Sequence, residues 1–118
     1  MKAKKISLED GEKFNGHCGK VIRRVFEKMI VENVEVYNRG AKAHYHKKIT
    51  EYYVCLRGKG LVVVWPSDDE SKKEEYELNE NDILEIPPNT FHKIVPIERN
   101  LMILVIRMPP ISNDEFFK

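Results

Sequence analysis

The sequence lacks several features that mark common protein classes. It has two cysteines, no glutamine and one tryptophan among 118 residues, and its longest apolar runs are LVVVW (61–65) and LMILVI (101–106). Runs this short cannot span a bilayer, so we expect no membrane partner. Lys plus Arg is 20 and Asp plus Glu is 19, for a formal net charge of +1. Proteins that bind nucleic acid carry a strong excess of basic over acidic residues, so we expect no nucleic-acid partner either.

The first residues and the two cysteines indicate a compartment. The stretch MKAKKISLEDGEKF is basic but no apolar stretch follows it, so it does not match a secretory signal. Cys18 and Cys55 lack CxxC spacing. In a chain without an export signal, we expect them to be reduced and buried thiols. The expected location is therefore the cytoplasm.

Length and residue patterning favour one small all-β domain. A chain of this length is enough for one domain, and it buries roughly two thirds of its unfolded surface. Short runs of β-branched and aromatic residues recur, each closed by Gly, Pro, Asn or Asp, and they predict eight strands of a sandwich or small barrel. The predicted strands are Val21–Phe26, Met29–Tyr37, Thr50–Leu56, Leu61–Trp65, Glu74–Leu78, Ile83–Ile86, His92–Ile97 and Leu101–Met108.

Two segments near the end of the chain carry further expectations. Residues 101–106 are apolar on both faces of the predicted strand, so their outer face needs cover. This favours an oligomer. For residues 112–118 we expect a short helical turn that begins at Ser112 or Asn113.

Three of the four histidines stand in a pattern suited to metal binding. His44 and His46 are separated by one residue on a segment that should be extended, so both imidazoles point to one face. Glu51 lies at the start of the next strand, and His92 follows a proline-rich turn at the head of another. Three neutral imidazoles and one carboxylate suit a divalent transition metal and would leave two octahedral positions for water or substrate.

The same residues also allow plainer explanations. An HxH pair alone occurs on many surface strands, and the four residues could be a surface cluster or hydrogen-bonded core side chains. Burying them without a metal would leave several polar groups in need of partners, and each unsatisfied group costs free energy. The fourth histidine, His17, lies in the stretch NGHCG (15–19) and is expected to be a surface loop residue.

The spacing of these residues resembles the two sequence motifs of the cupins. The first motif covers about residues 40–58, where HYHKKITEYYVCLRG (44–58) has H-x-H followed by Glu and then Gly. The second covers about residues 81–96, where NDILEIPPNTFH (81–92) has the Asp, the Pro and the His. Asn81 and Asn89 stand where that motif has glycine. Because asparagine accepts a left-handed backbone better than other non-glycine residues, we expect both turns to survive.

The cupin resemblance implies a fold, a metal site and an assembly. The fold is a double-stranded β-helix, a jelly-roll barrel, formed by residues 1–118 as one domain. The assembly is a homodimer of packed sheets. The implied cofactor is a divalent transition metal such as Mn, Fe, Ni, Zn or Cu. Its implied ligands are His44, His46, Glu51 and His92.

Three further residues share the face of Glu51 on an extended strand. Tyr53 is equally suited to donate a hydrogen bond to substrate, which would make it catalytic, and to fill the core as a buried aromatic. Cys55 is expected to be a small core residue rather than a nucleophile. Arg57 precedes the hairpin glycine and is expected to be exposed.

The reaction class stays open at this level. Cupins include dioxygenases, decarboxylases, isomerases, epimerases and non-catalytic binders, and fold analogy does not choose among them. The leading hypothesis is a metal-dependent enzyme, of isomerase, epimerase or dioxygenase type, that acts on a small polar molecule such as a sugar or keto acid. The alternative is a non-catalytic ligand-binding or sensing module, favoured by the lack of a clear second acid or base beside the ligands. A regulatory cupin with a DNA-binding partner ranks last, because the chain has no helix-turn-helix unit.

Overall fold

A computed structural model describes residues 2–118, and β-strands make up nearly all of their regular structure. Two single 3₁₀ turns, Leu8–Asp10 and Glu70–Lys72, are the only helical elements in this range. Neither is long or apolar enough to cross a membrane. The strands are β1 (Glu12–Asn15), β2 (Gly19–Val25), β3 (Ile30–Val36), β4 (His44–Tyr45), β5 (Thr50–Arg57), β6 (Gly60–Pro66), β7 (Glu74–Leu78), β8 (Ile83–Ile86), β9 (Thr90–Pro96), β10 (Leu101–Met108) and β11 (Phe116–Phe117).

The strands form two antiparallel sheets. The six-stranded sheet has the order β1-β2-β3-β10-β5-β8, and the five-stranded sheet has the order β11-β4-β9-β6-β7. The chain crosses repeatedly between them, from β3 to β4, from β4 to β5 and from β5 to β6. Such crossing between two facing sheets is typical of a jelly roll. The structure therefore confirms the predicted all-β jelly-roll barrel.

The core lies between the two sheets and is filled by alternate residues of their strands. Along β3 and β10, buried positions alternate with half-buried ones, as a strand with one inward face requires. Each fully buried aliphatic side chain contributes about 1.5–3 kcal/mol by leaving water. The buried members of this core are Val21, Val34, Val36, Tyr53, Cys55, Val62, Leu78, Ile86, Ile94, Leu101, Ile103 and Val105.

All eight strands predicted from the sequence are present, with ends that differ by at most two residues. The helical turn expected for residues 112–118 is wrong. Asn113 has a positive φ of 58°, a left-handed backbone that a right-handed helical turn does not contain. Phe116 and Phe117 then pair with strand β4. Pairing with the sheet therefore outweighs the local turn signal of Ser112 and Asn113.

The turns that replace glycine with asparagine keep the expected backbone. Asn81 has a φ of 72° and Asn89 a φ of 60°, so both are left-handed, as predicted. Glycine itself is required at Gly58, where φ is 83° and an added Cβ would lie 2.9 Å from the Cα of Leu101. The left-handed asparagines hold the turns on either side of β8, in front of the strand that carries His92.

Candidate metal centre

Four side chains from three segments of the chain meet between the sheets. His44 begins β4 and lies directly opposite His92 of β9, while His46 follows β4 and Glu51 lies on β5. All four side chains are buried, with exposed fractions of 3% for His44, 5% for His46, 0% for Glu51 and 1% for His92. One nitrogen or oxygen atom of each lies within 4.8 Å of those of the others. The structure thus brings together all four residues that the sequence singles out.

The HxH segment has the alternation expected of an extended strand. His44 and His46 point inward, and Tyr45 between them points to the opposite face of the smaller sheet. There its ring packs 4.7 Å from that of Phe91 and 5.3 Å from that of Phe116, measured between centroids. This outer packing anchors the short strand that presents both histidines.

Backbone carbonyls set the tautomers of two of the histidines. Nδ1 of His46 lies 2.5 Å from the carbonyl oxygen of Asp114, and Nδ1 of His92 lies 3.0 Å from that of Thr90. A carbonyl oxygen only accepts hydrogen bonds, so each Nδ1 carries a proton and donates it. In the neutral imidazole, Nε2 then offers its lone pair, which is the arrangement of metal-ligating histidines.

The atoms that face each other at the centre are buried and unpartnered. Oε1 of Glu51 lies 2.9 Å from Nε2 of His46 and 2.8 Å from Nε2 of His92. Within residues 2–118, none of these three atoms has a properly oriented hydrogen-bond partner, and neither does either ring nitrogen of His44. Leaving such atoms unsatisfied costs roughly 1–3 kcal/mol each. A divalent transition metal prefers this nitrogen and oxygen donor set and would satisfy it, so the residues present fit such an ion.

The second oxygen of Glu51 is held by a buried chain of alternating charges. Nε of Arg107 donates to Oε2 of Glu51 at 2.9 Å, and the same guanidinium lies 2.9 Å from Oε1 of Glu32. Glu32 in turn accepts a hydrogen bond from Nε of Arg23 at 2.6 Å. Burial alone would raise the pKa of Glu51, but His92, His46 and Arg107 together hold it well below its usual range. Glu51 is therefore an oriented carboxylate.

Arg107 and Glu32 are not among the residues predicted from the sequence, although the position of Glu32 in strand β3 points to a buried charge. In strand β3, Glu32 occupies the inward register shared by Ile30, Val34 and Val36, and it is 2% exposed. A carboxylate at a core position of an apolar alternation needs a charged partner, because an unpaired charge is costly to bury. That position alone indicates a buried ion pair.

A second group lies beside His44 and was also missed. Oε1 of Glu115 lies 3.4 Å from Nε2 of His44 and 3.9 Å from Nδ1 of His17. The rings of His17 and His44 meet edge to face at 4.7 Å. His17 lies in a loop, as expected, but it is half-buried against the candidate metal centre rather than on an open surface. Burial lowers the pKa of His17, and for His44 burial and then His92 lower it to about 2, so both imidazoles are neutral.

The remaining predicted residues differ in their surroundings. Tyr53 is 4% exposed, and its ring lies 6.0 Å from that of His92. It belongs to the core and also lines a cavity of about 210 Å³ that includes His17, Cys18, His44, Arg107 and Glu115. Cys55 is fully buried in the core, and Arg57 is exposed and donates to the carbonyl of Asn100, both as expected.

The chain matches a family and a curated relative. Residues 4–118 match the family described as "FdtA: WxcM-like, C-terminal". The uncharacterized protein MJ1618 of Methanocaldococcus jannaschii is 31% identical over 106 residues, which covers 82% of this chain and 79% of MJ1618. A solved protein from Planctomyces limnophilus is 26% identical, with 98% of this chain and 97% of that protein covered and a TM-score of 0.77.

More distant structures share the fold. A point mutant of Bacillus subtilis oxalate decarboxylase has a TM-score of 0.80 at 18% identity, covering 95% of this chain and 31% of the enzyme. The chain thus spans about a third of that protein. A Streptomyces PAC13 variant solved with uridine has a TM-score of 0.75 at 21% identity, covering 99% of this chain and 92% of PAC13. The protein is therefore a cupin and belongs to the FdtA and WxcM-like C-terminal family.

Proposed function

We propose that the protein binds a divalent transition metal through His44, His46, Glu51 and His92. We further propose that it is a metal-dependent isomerase acting on a small hydroxy-carbonyl compound, such as a sugar or a hydroxy-keto acid. The observation that carries the proposal is the set of buried, unpartnered donor atoms that converge from three strands. No properly oriented hydrogen bond within residues 2–118 satisfies these atoms.

The surrounding residues pre-organise the donor set. Arg107 holds Oε2 of Glu51, which leaves Oε1 directed at the histidines. The Nδ1 bonds of His46 and His92 keep both imidazoles in the tautomer that ligates. A divalent cation bound there would supply Lewis-acid polarisation of a substrate carbonyl or hydroxyl oxygen.

The cavity beside the donor set contains groups that handle protons. Isomerisation of a hydroxy-carbonyl compound moves one proton between adjacent carbons and another between their oxygens, so it needs a base and an acid but no second substrate. Nδ1 of the neutral His17 and Oε1 of Glu115 are placed to accept a proton, and the hydroxyl of Tyr53 is a donor. The sequence alone shows no clear acid or base beside the four ligands, and that lack favours a binding module. The presence of His17, Glu115 and Tyr53 in the cavity supports an enzyme instead.

The dimensions of the cavity favour a small substrate. Its volume of about 210 Å³ is below the roughly 300–1,000 Å³ typical of sites for drug-sized ligands. Its walls combine charged and hydrogen-bonding side chains with Phe14 and aliphatic core residues. A compound with several hydroxyl groups and one carbonyl matches this lining better than an apolar ligand.

Elemental analysis of protein purified without chelator tests the metal site. We expect about one divalent ion per chain, and its loss in His92→Ala, because that variant removes a donor from the centre. His17→Ala is the matched control, since it removes a neighbouring imidazole outside the set of four and should keep the ion. Undiminished metal in His92→Ala, with the fold intact by circular dichroism, would refute the assignment.

Isotope exchange tests the reaction. Metal-loaded protein is incubated in deuterated water with a panel of aldoses, ketoses and hydroxy-keto acids, and the products are followed by NMR. An isomerase introduces deuterium at the carbon next to the carbonyl and produces the isomeric compound. Oxygen uptake instead would indicate a dioxygenase, and recovery of every compound unlabelled from a saturated complex would favour the binding module.

A further inference from the structure

Residues 112–118, which we call the closing segment, lie alongside the strand that carries the HxH pair. Phe116 pairs with Tyr45 and Phe117 pairs with His44. The backbone N–H of Lys118 then donates to the carbonyl of Ala43 at 3.1 Å. The closing segment is therefore the edge strand beside β4 and continues the sheet past the metal centre.

Asp114 in this segment binds the backbone that connects two of the four donor residues. Its Oδ1 accepts the N–H of Lys47 at 3.1 Å, and its Oδ2 accepts those of Lys48 and Ile49 at 2.9 and 3.2 Å. These three residues form the link between His46 and the strand of Glu51. The side chain of Asp114 thus fixes the course of the chain between two donors, and the residue is only 8% exposed.

The main chain of Asp114 makes the second contact. Its carbonyl oxygen accepts the Nδ1 proton of His46 at 2.5 Å. One residue therefore holds the backbone after His46 through its carboxylate and the imidazole of His46 through its carbonyl. Nδ1 of His92 donates the equivalent hydrogen bond to the carbonyl of Thr90, two residues away on its own strand. For His46, the acceptor comes from a segment 68 residues further along the chain.

From these contacts we infer that Asp114 is a positioning residue for the metal centre, and that the centre holds its ion tightly only while the closing segment is docked. The inference rests on the proposed metal site. Without the carboxylate of Asp114, the closing segment loses its hydrogen bonds to the N–H groups of Lys47, Lys48 and Ile49. The backbone carbonyl of residue 114, which accepts the Nδ1 proton of His46, then moves with the segment. Loss of such an outer partner typically weakens metal affinity by roughly 10–100-fold.

The decisive comparison is Asp114→Ala against Asp82→Ala. The control removes an equal charge and a carboxylate that also accepts a backbone N–H, that of Asn79 at 2.8 Å, in a turn away from the closing segment. Metal affinity is measured by competition with a chelator. We expect Asp114→Ala to bind roughly 10–100-fold more weakly than wild type, and Asp82→Ala to match wild type. Equal affinity of Asp114→Ala and wild type would overturn the inference.

Two measurements on the metal-free protein separate this inference from the proposed function. Wild type should show a protected Nδ1 proton of His46 by NMR and slow amide exchange at residues 47–49, and Asp114→Ala should lose both. If wild type binds no metal, the proposed function fails. The positioning role is then refuted if the His46 signal persists in Asp114→Ala, and supported if it is lost. Should Asp114→Ala fail to fold, Asp114→Asn, which keeps one acceptor oxygen, takes its place in each comparison.

Discussion

Replacing Arg107 by methionine should destabilise the fold strongly, because this residue separates two buried carboxylates. Its guanidinium contacts Glu51 and Glu32 at 2.9 Å each. These carboxylates are 0% and 2% exposed. Methionine keeps most of the side-chain volume but removes the charge. The variant therefore leaves Glu51 without its cation and Glu32 with Arg23 alone.

The expected cost follows from the burial of these partners. Removing one member of a buried ion pair costs about 3–5 kcal/mol, because the remaining charge is desolvated and unpaired. Glu32 keeps Arg23 at 2.6 Å, and the Arg107 side chain is 19% exposed, so the lower end of this range applies. For a domain of this size, about 3 kcal/mol lowers the melting temperature by roughly 12 °C. Total stabilities of about 5–15 kcal/mol leave the variant folded but weakened.

Thermal unfolding of the chelator-treated protein, followed by circular dichroism, measures this loss. Arg57→Met is the matched control, since Arg57 is exposed and its guanidinium donates only to a backbone carbonyl, and it should change stability by less than about 0.5 kcal/mol. The double variant Glu32→Gln, Arg107→Met should lose less unfolding free energy than the sum of the losses of the two single variants, because the two residues are coupled. A melting temperature of Arg107→Met within a degree or two of wild type would show that the charge chain contributes nothing.

Three further predictions concern other parts of the molecule. Tyr53→Phe should keep the proposed metal but lower the rate of the proposed isomerisation by roughly 10²-fold or more, through loss of the hydroxyl donor in the cavity. An unchanged rate would make Tyr53 a core residue only. Burial, followed by the charge of Glu51, raises the pKa of the Cys18 thiol to about 11. At about pH 8 the Cys18 thiol should therefore react with a thiolate-specific reagent roughly two orders of magnitude more slowly than a free thiol. Its reaction rate should rise about tenfold per pH unit up to that pKa. A fast reaction in the native protein would contradict this. Gly58→Ala should cost roughly 1–3 kcal/mol because of its left-handed backbone and the approach to Leu101, whereas Gly40→Ala, with only ordinary contacts, should be nearly neutral in denaturant unfolding.

The strands and the shared face of His44 and His46 could be predicted from the sequence because both depend on local periodicity. Glu51 and His92 joined this set through the resemblance to the two cupin motifs. Alternation along a strand places His44 and His46 on one face and Tyr45 on the other, and the structure has this arrangement. The left-handed turns at Asn81 and Asn89 also follow from residue type alone. Features of this kind are determined by a residue and its nearest neighbours in the chain.

The contacts around the donors could not be predicted in the same way, because they join distant segments. Asp114 reaches His46 across 68 positions, and Arg107 reaches Glu51 across 56. No periodicity links these pairs. The turn signal of Ser112 and Asn113 was misleading, since two phenylalanines next to it gain more from pairing with β4 than a free helical turn provides. His17 was missed for the same reason: its loop folds back on His44 from the other sheet.

The position of the four donors across the two sheets has a mechanical consequence. His44 and His92 belong to the five-stranded sheet, whereas Glu51 belongs to the six-stranded sheet. An ion held by all of them would therefore cross-link the two layers, in the way that a disulfide joins the halves of a sandwich. Sliding or parting of the layers would have to break coordination bonds, so occupancy would resist unfolding as well as serve chemistry. At a free metal concentration of about 1,000 times the dissociation constant, this linkage would add roughly 4 kcal/mol to the stability of the barrel.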